Sequence, residues 1–223
     1  MRAISVGVVV AFHAFFRQGF GGFIGVDIFF VISGYLITGL LLDEFHRNGG
    51  ISLWGFWARR VRRLAPALFL TLATVMLAST VFMSRIGGET GPVAKATMAT
   101  LLLNANHFFL LDAGDYFAAA AETNPLLHMW SLSVEEQFYL FWPVLLLVLL
   151  RRRAWKNPFV VISGLLGISL VLGAMATLLP PEAAFYAMPS RAWELLAGAA
   201  LAAFLAPRRL VLGYGFTAFL GLA

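Results

Sequence analysis

Apolar runs of about 20 residues, the length an α-helix needs to cross the hydrocarbon core of a bilayer, recur along this chain. They occupy residues 3–16, 23–42, 65–84, 93–111, 126–150, 158–179 and 185–206, and another begins at 210. The 17–22 stretch, Arg-Gln-Gly-Phe-Gly-Gly, predicts a tight turn that folds the first two runs into an antiparallel hairpin. Residues 51–63 are too polar to span and mix Trp54, Phe56 and Trp57 with a basic end, which predicts an interfacial helix. The run 93–111 is the weakest, because it carries Lys95, Asn104, Asn106 and His107; it is expected to be re-entrant or packed inside the protein, where polar groups can be satisfied. The pattern predicts an all-α fold, a polytopic transmembrane helical bundle forming one membrane domain over residues 1–223. The last run stops at Gly221-Leu222-Ala223 when it has only just begun, so the domain reads as incomplete. Met1-Arg2 followed by an apolar run has the start of a signal peptide, but no small-residue cleavage site follows it.

Composition agrees with lipid as the solvent: 61% of residues are hydrophobic and 12% charged, against about a quarter charged in soluble domains. The formal charge of +5 sits in short stretches between apolar runs: five Lys/Arg in 43–63, four in 151–156 and two in 208–209. That is loop charge rather than a nucleic-acid face, and no nucleic-acid partner is expected. Basic loops prefer the cytoplasm, which places Arg2, 43–63, 151–156 and 208–209 inside and the acidic 112–125 loop outside. Three apolar segments lie between residues 64 and 150, where this arrangement requires an even number of crossings. A re-entrant 93–111 resolves the count. The chain has no cysteine, which excludes disulfides and thiolate metal sites. No spacing of its four His with acids indicates a metal site.

Ionisable residues inside membrane segments cost a few kcal/mol or more each unless paired or facing a cavity, so they mark function. His13 precedes the 17–22 turn by about as much as Asp27 follows it, so the two sit at similar depth. The pair serves either catalysis, with the carboxylate fixing the imidazole tautomer, or the joining of two helices. Glu135 and Glu136 lie in the stretch 128–139, His-Met-Trp-Ser-Leu-Ser-Val-Glu-Glu-Gln-Phe-Tyr. Adjacent helical positions diverge by about 100°, so the two acids are not expected to point at one place. Arg59/Arg62 and Arg60/Arg63 are i, i+3 pairs, each on a common helix face. Such a fork suits phosphates, and it equally suits a positive-inside anchor on lipid headgroups.

Four stretches carry a resemblance that spacing alone does not supply. Arg2 is followed after ten residues by His13. Gly-Gly-Phe-Ile-Gly-Val-Asp-Ile-Phe-Phe-Val-Ile-Ser-Gly-Tyr-Leu-Ile-Thr spans 21–38 and Arg-Arg-Val-Arg-Arg-Leu-Ala-Pro-Ala spans 59–67. Asn-Pro-Leu-Leu-His-Met-Trp-Ser-Leu-Ser-Val-Glu-Glu-Gln-Phe-Tyr-Leu-Phe-Trp-Pro spans 124–143, and Pro-Ser-Arg-Ala-Trp-Glu-Leu-Leu-Ala-Gly at 189–198 extends the match. In this order they resemble the membrane-bound acyltransferase 3 family, whose members include O-antigen acetylases and nodulation-factor acyltransferases. The resemblance implies a multi-pass protein of a bacterial inner membrane that transfers an acyl group, in the first place acetyl, from cytoplasmic acyl-CoA to a hydroxyl of a surface or exported carbohydrate. It implies that His13 is the catalytic histidine and Arg2 its motif's basic partner. By the same resemblance Arg59/Arg62 or Arg60/Arg63 are the candidate acyl-CoA contacts, and Glu135 and Glu136 the acidic motif. Acyl-CoA is a co-substrate here, with no bound cofactor implied. Family members continue through further helices, which again marks this chain as a truncated member. The competing class is a proton-coupled transporter or flippase, in which intramembrane His, Asp and Glu form a relay. Inverted repeats would favour it, and the sequence shows none.

Overall fold

The structure, a computed structural model, describes residues 22–86, 90–112, 124–151, 157–178 and 181–212. Among them run eight helices and no strand: α1 (Gly22–Asn48), α2 (Leu53–Ile86), α3 (Gly91–Leu101), α4 (Ala105–Asp112), α5 (Met129–Arg151), α6 (Pro158–Ala176), α7 (Pro181–Tyr186) and α8 (Met188–Leu212). The all-α class follows from the sequence pattern, and four helices are long and apolar enough to cross a membrane: Ile24–Asn48, Leu53–Phe82, Met129–Arg151 and Pro158–Ala176. The 3–16 run, with Arg2 and His13, lies outside the described residues.

Local chemistry sets the helix ends. α1 closes on Gly49, whose φ of 67° places it in the left-handed region and whose N–H donates to Phe45 O at 2.8 Å. Ser52 opens α2: its carbonyl accepts from Phe56 N–H at 2.9 Å and its hydroxyl from Gly55 N–H at 3.3 Å. The helix then continues without a break through Pro66 to Ile86. The separate interfacial helix expected at 51–63 is therefore the first turns of a longer one. A proline costs its helix one donor and one hydrogen bond, and in a membrane segment that loss is tolerated rather than terminating.

The 93–111 run is interrupted. α3 and α4 rise only about 16 and about 12 Å, each short of the roughly 30 Å hydrocarbon core. Between them Leu103 adopts φ 55°, its N–H donates to Thr100 O at 3.0 Å, and the Asn104 N–H donates to Ala99 O at 2.8 Å. That pairing is a Schellman-type helix end with leucine in the left-handed position usually given to glycine.

The chain divides into two compact units, one of Met1–Ile51, Trp142–Leu172 and Ala192–Ala223, the other of Ser52–Phe141 and Gly173–Arg191. In the first, α1 and α8 meet backbone to backbone. A Cβ on Gly34 would stand 1.9 Å from the Leu195 carbonyl oxygen, and one on Gly198 would stand 1.9 Å from that of Val31. Three residues back along α1 correspond to three residues forward along α8, so the helices are antiparallel. The Phe159 ring lies 5.5 Å from that of Phe204, which puts the start of α6 at the same end as the last turns of α8. Trp142 joins α5 to α1 through Nε1–H donating to Thr38 Oγ1 at 2.8 Å.

Within this unit the last turns of α8 and the start of α6 lie at the Gly22 end of α1, and Arg47 lies at the other end. The expectation that 43–63 and 151–156 share one face predicts that reporters at Gly50 and within 152–156 read the same side; opposite readings would follow the ends of α1 instead. A reporter near Ala119 that reads the same side as one at Gly50 would overturn the re-entrant path expected for 93–111.

Candidate active site

The second unit gathers the acidic motif of α5 against the basic start of α2. Pro143 has no N–H to give the carbonyl of Tyr139, four residues before it. The Trp57 indole N–H donates to that carbonyl at 3.1 Å instead. One turn along α2, Arg60 Nη2 donates to Glu136 Oε1 at 2.5 Å, with both side chains largely buried at 16% and 10% exposure. The same guanidinium lies over the Tyr139 ring, 3.9 Å from its centroid. The Tyr139 hydroxyl in turn donates to Glu135, and Glu135 is within electrostatic reach of Arg60. The two acids do diverge around the helix. Yet Tyr139 and Arg60 together tie them into one cluster, which spacing alone did not anticipate.

Of the four arginines, only Arg60 turns into the protein, while Arg59, Arg62 and Arg63 are exposed. Arg62 Nε donates to Ala58 O at 3.3 Å. The expected Arg60/Arg63 fork is thus not a matched pair, because Arg60 is engaged by Glu136. Asp27 is half-buried in the first unit, on the same stripe of α1 as Val31 and Gly34. Its expected partner His13, and Arg2, lie outside the described residues.

The other polar residues of the motif hold the break between α3 and α4. Gln137 Nε2 donates to Leu103 O at 2.7 Å and to Asn106 Oδ1 at 2.8 Å, and the Ala105 N–H donates to Ser133 Oγ at 3.1 Å. Asn106 Nδ2 donates to Tyr186 O at 3.1 Å. Backbone groups freed by the interruption are satisfied by side chains, as irregular backbone at membrane depth requires. Asn106, one of the residues that weakened 93–111 as a span, is fully buried and part of this network. Beside it the Trp130 ring packs 4.7 Å from Phe185 and 5.4 Å from Tyr186, with the Arg191 guanidinium 5.7 Å from the Trp130 centroid. Sequence reading gave Trp57 only a place in an interfacial helix and assigned no role to Tyr139 or the fully buried Glu194. For Tyr139 a signal existed: it stands four residues after Glu135 and four before Pro143.

Comparison with known proteins places these residues in context. The family described as "Acyltransferase domain" matches residues 1–223. The chain is 39% identical over 212 residues to the peptidoglycan O-acetyltransferase OatA of Listeria monocytogenes, covering 91% of this chain and 32% of that protein. It is 38% identical over 176 residues to the O-acetyltransferase OatA of Staphylococcus aureus, covering 78% of this chain and 28% of that protein. The chain thus spans about a third of the length of these curated relatives. No solved structure matches it.

Proposed function

Because this chain belongs to the acyltransferase family that matches its whole length, we propose that it transfers an acetyl group from cytoplasmic acyl-CoA to a hydroxyl of a cell-wall glycan, in a bacterial cytoplasmic membrane. The observation that carries the reading is the cluster of Arg60, Glu136, Tyr139 and Glu135, with exposed Arg59, Arg62 and Arg63 one to three residues from Arg60. A guanidinium group there suits the phosphates of a nucleotide thioester, and buried acids beside it suit the management of a proton. The choice of peptidoglycan as acceptor draws on the printed name of the Listeria relative.

In the reaction the acceptor oxygen attacks the thioester carbonyl, a C–O bond forms, the C–S bond breaks, and the hydroxyl proton ends on the CoA thiolate. His13 is the assigned base, oriented by Asp27, with Arg2 as the basic member of its motif. Direct transfer is preferred to an acyl-histidine because it needs one proton acceptor beside one acyl group. Purified protein in lipid, given labelled acetyl-CoA and peptidoglycan fragments, is expected to place label on the glycan. His13→Ala should abolish that transfer while leaving insertion intact, since the segment becomes more apolar. Movement of substrate without covalent change would instead establish a transporter, and full turnover in a well-inserted His13→Ala protein would reduce His13 to a helix contact.

A further inference from the structure

Tyr139 is buried to 1% exposure, and three different parts of it are engaged. Its hydroxyl donates to Glu135, its ring face carries the Arg60 guanidinium at 3.9 Å, and its carbonyl takes the Trp57 indole at 3.1 Å. A side chain that only filled space would need no hydroxyl, and burying one is costly unless it is hydrogen-bonded. Glu135 and Tyr139 are i, i+4 on one helix face, whereas Glu136 points about 100° away and reaches Arg60. The tyrosine is therefore in contact with both the Glu135 carboxylate and the cation that pairs with Glu136.

We propose that Tyr139 is a positioning residue for acyl transfer: its hydroxyl fixes the Glu135 carboxylate, and its ring holds Arg60 in register with Glu136. The assignment rests on the acyl-transfer reading above. It separates two tasks on one side chain, because the hydroxyl acts on an acid used in turnover and the ring acts on an arginine beside the donor contacts.

The test is steady-state transfer from acetyl-CoA by the intact protein in lipid, with insertion and thermal midpoint measured in parallel. Tyr139→Phe keeps the ring, so kcat should fall about tenfold or more while the acetyl-CoA KM stays within about twofold of wild type. Tyr139→Leu removes the ring as well and should also raise that KM, by about tenfold. A folded Tyr139→Phe protein with wild-type kcat overturns the proposal, as does one in which kcat and KM change together. If Tyr139→Phe does not accumulate, 3-fluorotyrosine at position 139 decides, since it keeps the shape and the hydroxyl but makes a stronger donor. A changed kcat at an unchanged thermal midpoint supports positioning, and an unchanged kcat overturns it. A wild-type protein that consumes no acetyl-CoA sinks the acyl-transfer reading itself, a result separable from any effect at position 139.

Discussion

Gly198→Ala is expected to push α1 away from α8 and leave a protein that inserts but packs less stably. The new Cβ would stand 1.9 Å from the Val31 carbonyl oxygen and 2.6 Å from the Tyr35 nitrogen. These are backbone atoms of a helix, so no rotamer change can clear them. Ordinary contact demands a separation of about 1.5 Å more, and overpacking of this kind costs about 1–3 kcal/mol or above. Against a total stability of about 5–15 kcal/mol, and with every contact along the crossing loosened, the loss should be visible as a fall of several degrees or more in thermal midpoint. Gly34→Ala meets Leu195 in the same way and should behave alike. The double variant should be little worse than either single one, because a crossing already opened cannot be opened twice. Gly164→Ala and Gly167→Ala on α6 provide the control, since a Cβ at either meets nothing within 4 Å; alanine there should be neutral or slightly stabilising. A Gly198→Ala protein with the wild-type midpoint would mean that the two helices are not in backbone contact. Close approach at small residues is how helices associate where lipid removes the hydrophobic drive.

The second large effect lies at Arg60 and Glu136. Glu136→Gln should lower both stability and turnover, because it leaves the guanidinium largely buried without its charge partner, a situation worth about 3–5 kcal/mol. Arg60→Met removes the cation that pairs with the Glu136 carboxylate and should do the same. Replacing both, as Arg60→Met with Glu136→Leu, removes both desolvated charges and should recover most of the thermal stability. It should not recover transfer. Recovery of activity along with stability would reduce the pair to scaffolding. Arg59→Ala, Arg62→Ala and Arg63→Ala are expected to differ in kind. These side chains are exposed, so stability should change by about 0.5 kcal/mol or less. The acetyl-CoA KM should rise with kcat nearly unchanged, the mark of binding energy felt equally in ground and transition states. If those three variants keep a normal donor dependence, the basic run is a lipid anchor.

Hydrophobic run length alone announced the all-α membrane class, because lipid demands that every backbone group be paired within its own segment. It could not reveal that 51–63 and 65–84 are one helix. Polarity argued for a boundary there, and the helix simply continues through Pro66. The arginine run and the paired acids were also visible as unusual residues in apolar surroundings. Their union was not, since Arg60 and Glu136 are 76 positions apart and a sequence carries no measure of distance across the fold. Trp57 became meaningful only when Pro143 was seen to leave the Tyr139 carbonyl without its helical donor.

Topology shows the division most clearly. The sequence by itself determined that this chain lives in a membrane, because transfer free energies are local and additive along a segment. The course of α8 along α1 was decided only by the antiparallel meeting of Gly34 and Gly198 with their neighbours' backbones. Packing at that range depends on atoms brought together from opposite ends of the chain, and no local preference of either segment encodes it.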